Sequence, residues 1–143
     1  MKWITRAHVH VDRVACPWLI RRFIDSDAEF HFVAKSLVAE EAKRLGAIPF
    51  DVPDAELGHR GDRCSFVAIM EAYRLQDPAL SLLAEAVNAA DTDAMAKSPY
   101  APGLEAVAKG FSLMIPDDAA NLEAQFRVYD ALYAFFRLQA SGG

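Results

Sequence analysis

The chain has 143 residues, 53% hydrophobic and 24% charged, which is length for one domain around a single sizeable core. Its net charge of -5 argues against a general nucleic-acid or anionic-membrane binder. No apolar run approaches the roughly 20 residues that span a bilayer, the first six residues lack the pattern of a signal peptide, and two cysteines are too few for a disulfide scaffold. The sequence therefore predicts a cytoplasmic protein with reduced thiols.

In chain order, residues 2–5 read as a first strand. The alternation of His8, His10 and Asp12 would put three candidate ligands on one face if that stretch is extended; exposed strand histidines without a role are the alternative. Pro17 fits the first turn of a helix, where its missing N–H would be unpaired in any case, so a helix is predicted over about 17–24 with Cys16 at or beside its cap. Residues 29–33 read as a second strand. Ser36 opens an amphipathic helix over 37–45, closed by Gly46, and residues 48–52 form a short third strand. Strand, helix, strand, helix, strand implies an α/β fold: a small, mostly parallel sheet with crossover helices in the N-terminal half, followed by a helical C-terminal half.

A thiol against the free N–H groups at a helix start would have a lowered pKa and an affinity for anions. Arg13, Arg21 and Arg22 flank the same element. The competing interpretation is core packing, with cysteine buried and the arginines reaching to water. Ligands of parallel sheets gather beyond the carboxyl ends of the strands, where Asp12, Arg13 and Cys16 would lie.

Residues 53–65 are the longest stretch without periodicity and hold Glu56, His59, Arg60, Asp62, Arg63 and Cys64. Such a set can supply metal ligands, an acid/base group, anion donors and a nucleophile, or it is an ordinary polar surface turn. From Ser65 the pattern turns helical, with Phe66, Ile69, Met70 and Tyr73. Asp77 and Pro78 cap a helix running to about Ala90, on which Leu80, Ala84 and Val87 form a row that continues to Asp91. Either Asp91 projects toward the core and needs a partner, or the helix ends first and Asp91 starts a turn over 91–94. Residues 98–103 read as a turn before a helix carrying Leu104, Val107, Ala108, Phe111 and Ile115. Asp117 and Asp118 cap the last helix, whose stripe of Leu122, Phe126, Tyr129, Tyr133 and Phe136 reads as core or dimer surface. Asp130 there would be held by hydroxyls or by an arginine, and residues 141–143 read as a frayed end.

The run from Val11 to Asp25 (VDRVACPWLIRRFID), with Glu56-Leu-Gly-His59, Arg63-Cys-Ser-Phe66, Ala90-Asp-Thr-Asp93 and Tyr129-Asp-Ala-Leu-Tyr133, resembles the chromate-resistance protein family. More narrowly, it resembles the C-terminal domain of ChrB-type chromate-responsive proteins, a domain also found beside rhodanese-like sulfurtransferases. The resemblance covers nearly the whole chain and implies a role in chromate resistance or sensing. The regulators have an additional N-terminal portion for DNA control, so no nucleic-acid role is expected of this chain alone.

Chromate is a tetrahedral dianion and an oxidant. Guanidinium forks would hold it and a thiol could be oxidised by it. On this view Arg13, Arg21, Arg22 and Arg63 are the anion donors and Cys16 and Cys64 the redox candidates. A second hypothesis is a divalent transition-metal centre, in a metal-binding domain or metal-dependent enzyme, from Asp12, Glu56, His59 and Asp91. A third is a structural partner for a sulfurtransferase, with either cysteine in sulfur transfer.

Overall fold

The computed structural model describes residues 1–92 and 95–142. Asp93 and Ala94, half of the turn expected over 91–94, and Gly143 of the expected frayed end lie outside the described residues. The N-terminal half is a three-stranded sheet of order β2-β1-β3, with β1 at Lys2–Arg6, β2 at Glu29–Val33 and β3 at Ile48–Pro49. Both pairings are parallel, Trp3 lying opposite Phe30 on one side and Ile48 on the other. The central strand is covered on both faces: Trp3, Ile4 and Thr5, which alternate in direction, are all buried. Trp3 enters the main core and Ile4 the smaller cluster under the second helix, with Val38, Ala42 and Val52.

Two crossover helices link the strands. Helix α1, Val11–Phe23, starts earlier than the proline suggests, so Pro17 sits inside it rather than at its first turn. Residues 8–12 are therefore not a strand: His8 has a left-handed φ of 68°, His10 is the helix N-cap, and Asp12 lies in the first turn. The expected common face of His8, His10 and Asp12 does not form. Helix α2, Val38–Leu45, follows a short 3-10 turn over Lys35–Leu37 and ends on Gly46 in the left-handed conformation expected of it. The third strand keeps only two residues, because beyond it Phe50 bridges to Leu57 and Asp51 adopts a φ of 49°.

The C-terminal half is helical: α3 at Ser65–Ala72, α4 at Pro78–Asp91, α5 at Ala101–Met114 and α6 at Asp118–Ala140. Asp77 caps α4 as the Asp-Pro pair predicts, accepting from the N–H groups of Ala79 and Leu80, and Asp117 caps α6 through Ala120. Helix α5 begins at Ala101, inside what reads as the turn over 98–103, with its proline in the first turn. Helix α6 buries Leu122, Phe126, Tyr129 and Phe136 in the main core. Its tyrosines meet α1: Trp18 lies 6.1 Å from Tyr129 and 5.8 Å from Tyr133 between ring centroids. Asp130 ties the two helices from outside, accepting from Trp18 Nε1 at 2.7 Å and from Arg22 Nε and Nη2, each at 3.0 Å.

Candidate metal centre beyond the strand ends

Three carboxylates converge where β1 and β3 run out. Asp12 comes from the first turn of α1, Asp51 from the left-handed turn after β3, and Asp91 from the last turn of α4. One oxygen of each lies within 4.8 Å of one of each of the others. Asp12 and Asp51 are only 1% and 8% exposed, and the Asp91 side chain 18%. Like charges this close in a poorly solvated site are stable only with protons or a cation among them.

Neighbouring donors hold the cluster. The N-terminal N–H groups of α3 have no capping side chain of their own, since the N-cap residue is Cys64. Asp12 serves instead, accepting from Ser65 N at 2.7 Å and Phe66 N at 3.1 Å, where the helix dipole favours negative charge. The Ser65 hydroxyl donates to Asp51 Oδ1 at 2.9 Å, and Arg13 Nη1 to Asp51 Oδ2 at 3.4 Å. Arg13 also donates to the carbonyl of His8 at 2.7 Å, fixing the loop between β1 and α1.

Burial, then Asp51 and Asp91, push the Asp12 carboxyl well above the ordinary range, against the hydrogen bonds from Cys16 and Ser65. Burial and Asp51 raise Asp91 to about 6, with His59 pulling the other way.

Asp91 forms part of the wall of a groove of about 670 Å³, together with His10, His59, Thr92, Lys97 and Glu105. His59 Nδ1 stands 3.7 Å from Asp91 Oδ2, and its Nε2 is 2.8 Å from the carbonyl oxygen of Gly61. A carbonyl only accepts, so Nε2 carries a proton. His10 Nε2 is paired with Glu105 Oε2 at 2.9 Å on the same groove.

Of the candidate ligands read from sequence, Asp12 and Asp91 are thus brought together, and His59 adjoins the cluster through Asp91. Glu56 is not; it borders a separate groove of about 340 Å³ with Leu57, Gly58, Arg60 and Arg63. Asp51 is the residue that sequence reasoning passed over. In the expected strand over 48–52 it would have been an unremarkable alternate position, and only its left-handed turn aims it at Asp12. The Asp-Val-Pro run that follows Phe50 is the one local sign of a turn there.

The four arginines do not converge. Arg21 donates to the Ala28 carbonyl at 2.8 Å and lies over the rings of Phe30 and Phe126; Arg22 grips Asp130; Arg63 pairs with Glu71. Only Arg13 reaches the carboxylate cluster.

Nor is either cysteine activated. Because α1 begins at Val11, Cys16 lies inside the helix and not at its start. It is fully buried and donates its thiol to Asp12 Oδ1 at 3.3 Å. Burial and the neighbouring Asp12 and Asp51 push its pKa up, the reverse of the lowering expected at a helix start. Cys64, equally buried, is raised first by burial and then by Asp12. Neither thiol is in a disulfide.

Fold and site together define a small α/β domain with a buried carboxylate cluster at the carboxyl ends of a parallel sheet, open to a polar groove. The chain belongs to the ChrB C-terminal domain family, which matches it over residues 3–136. It is 38% identical over 138 residues to Protein ChrB of Cupriavidus metallidurans, an overlap covering 94% of this chain and 40% of that protein. The chain thus spans less than half the length of that relative. No solved structure matches it. Among the described residues no helix is long and apolar enough to cross a membrane.

Proposed function

We propose that this is a chromate-resistance domain whose working site is a divalent-cation centre, with Asp12, Asp51 and Asp91 as oxygen ligands and His59 as a nitrogen ligand. The convergence of three carboxylates within 4.8 Å of one another, two of them buried, carries the reading. Three hard oxygens and one imidazole suit manganese, iron or zinc better than calcium, which takes an all-oxygen shell, or copper, which favours nitrogen and sulfur. Asp91 would leave the ion's open side facing the groove. There it would act as a Lewis acid or bind an anionic ligand beside Lys97. Chromate or another oxyanion is then a ligand of the ion, and the arginines other than Arg13 have no direct part.

A second reading keeps the oxyanion on protein donors alone. It is supported at one residue: the Nε of Arg13 is buried without a partner. It requires Arg13 to bind an anion while facing Asp51, an unfavourable neighbour, so the cation centre is preferred.

Elemental analysis of protein purified without chelator or metal-affinity resin separates the two. About one transition metal per chain is expected, lost in Asp51→Asn, with added Mn²⁺ raising the melting temperature of the wild type only. No metal in either protein and no thermal shift would reject the cation centre, and Arg13→Gln would then be tested for lost chromate or sulfate binding.

A further inference from the structure

His59 lies on a short hairpin whose attachment to the rest of the molecule is unusually specific. Arg60 and Arg63 exchange backbone hydrogen bonds of 2.9 and 3.0 Å, closing a two-residue turn in which Gly61 has a φ of 60°. A single side chain on α4 then holds this hairpin at two points. Cys64 N–H donates to Asn88 Oδ1 at 2.7 Å, and Asn88 Nδ2 donates to the Asp62 carbonyl at 2.8 Å. Asn88 lies one helical turn before Asp91, so the residue gripping the hairpin and the carboxylate facing His59 belong to one rigid segment.

The closed hairpin in turn presents the Gly61 carbonyl to His59 Nε2. That bond places a proton on Nε2, and Nδ1 stands 3.7 Å from Asp91 Oδ2. A proton on Nδ1 or a metal ion between the nitrogen and the carboxylate satisfies both. Metal-binding histidines usually donate their other ring N–H to a carbonyl or carboxylate, which fixes the tautomer and ring direction.

We propose that Asn88 is a positioning residue for the cation site, holding the hairpin against α4 so that His59 Nδ1 stands opposite Asp91 as the nitrogen donor. This rests on the cation-centre reading. The side chain acts through His59 and touches neither the ion nor its ligand.

Co²⁺ is the probe, because its visible spectrum reports nitrogen ligation. Dissociation constants and spectra are compared at about pH 8 for wild type, Asn88→Ala, His59→Ala and the double variant. Asn88→Ala and His59→Ala should each weaken Co²⁺ binding about 10- to 100-fold. The double variant should bind within about twofold of His59→Ala and share its spectrum, since residues acting as one unit are not additive. Wild-type affinity and spectrum in Asn88→Ala, or losses that multiply in the double variant, overturn the proposal.

Long-range proton–nitrogen NMR of the imidazoles in metal-free protein gives a readout independent of the ion. Wild type should show His59 as the Nε2–H tautomer, and Asn88→Ala a mixture. An unchanged tautomer also overturns the proposal. If wild type binds no Co²⁺ while the tautomer is lost in Asn88→Ala, the donor role falls with the cation centre and the positioning of His59 stands. Should Asn88→Ala not fold, Asn88→Asp serves instead: it keeps the acceptor for Cys64 N–H and removes the donor to Asp62.

Discussion

Asp51 faces two other carboxylates across a few ångströms with one guanidinium for company, so the metal-free cluster carries more negative than positive charge. Asp51→Asn keeps an oxygen for the Ser65 hydroxyl and removes a charge that raises both neighbours. The variant should therefore be more stable than wild type in chelator, by about 1 kcal/mol, and should gain nothing from Mn²⁺. Urea titration with and without the ion checks both halves. A variant less stable than wild type in chelator would mean that the Arg13–Asp51 pair outweighs the repulsion. At this scale the sequence was partly legible. His59 and Asp91 stood out as ligand types beside glycine-rich or helix-end positions, and Asp12 through its place at the strand end. Asp51 was hidden by a strand pattern, and Glu56 was drawn in by residue type alone. The expectation for Cys16 rested on a helix start that lies elsewhere, whereas Cys64 does stand at the start of α3 but is buried beside Asp12.

The misplaced helix start is an element-scale effect, and it has an energetic consequence. Pro17 in the body of α1 cannot donate to the carbonyl of Arg13, and an interior proline costs a helix about 3 kcal/mol. Helix α1 tolerates it because nearly its whole length is buried against the sheet and the C-terminal helices, and tertiary packing overrides local propensity. Pro17→Ala restores the bond and loses some packing, so a net gain of about 1 kcal/mol is expected, read as a higher melting temperature. A loss would show that the ring's packing outweighs the missing hydrogen bond. The outer tie between α1 and α6 behaves differently. Arg22 and Trp18 hold the Asp130 carboxyl below its ordinary range, Arg22 contributing most. A depressed carboxyl stabilises the fold above its unfolded pKa of about 4, and that contribution is lost as pH falls through the lower folded value. Asp130→Asn should thus be less stable than wild type at pH 6, by under about 1 kcal/mol because the pair is half exposed, with the gap closing below about pH 3.5. Denaturation at several pH values tests it. Helix α6 was readable from its long apolar stripe and aspartate cap, whereas the start of α5 was not, because the Ser-Pro-Tyr-Ala-Pro run before Gly103 signals a turn until the second proline is recognised as a first-turn residue.

In the whole molecule, the proposed ligands come from four separate places: the start of α1, the turn after β3, the 59–64 hairpin and the end of α4. Only Asp51 and His59 are near each other in sequence, so the unfolded chain offers no comparable four-ligand site, and binding energy appears directly as folding energy. Parallel pairing of β1 with β2 and β3 is what brings the first two together, and the packing of α4 on α1 brings the last. This assembly was legible as an α/β arrangement from the order of elements; the meeting of its ends was not, since it depends on loop geometry that no periodicity encodes. At an Mn²⁺ concentration 100 times the dissociation constant, wild type should gain about 2.7 kcal/mol, moving its urea midpoint by roughly 1–2 M. If the site is already formed in the metal-free protein, the slope of the transition stays constant, because the surface exposed on unfolding is unchanged. A steeper slope with metal would mean instead that residues 53–64 fold only around the ion. A midpoint that does not move, at an ion concentration where wild type is shown by dialysis to bind, would mean that the unfolded chain binds the ion as tightly, against a site that only the fold assembles.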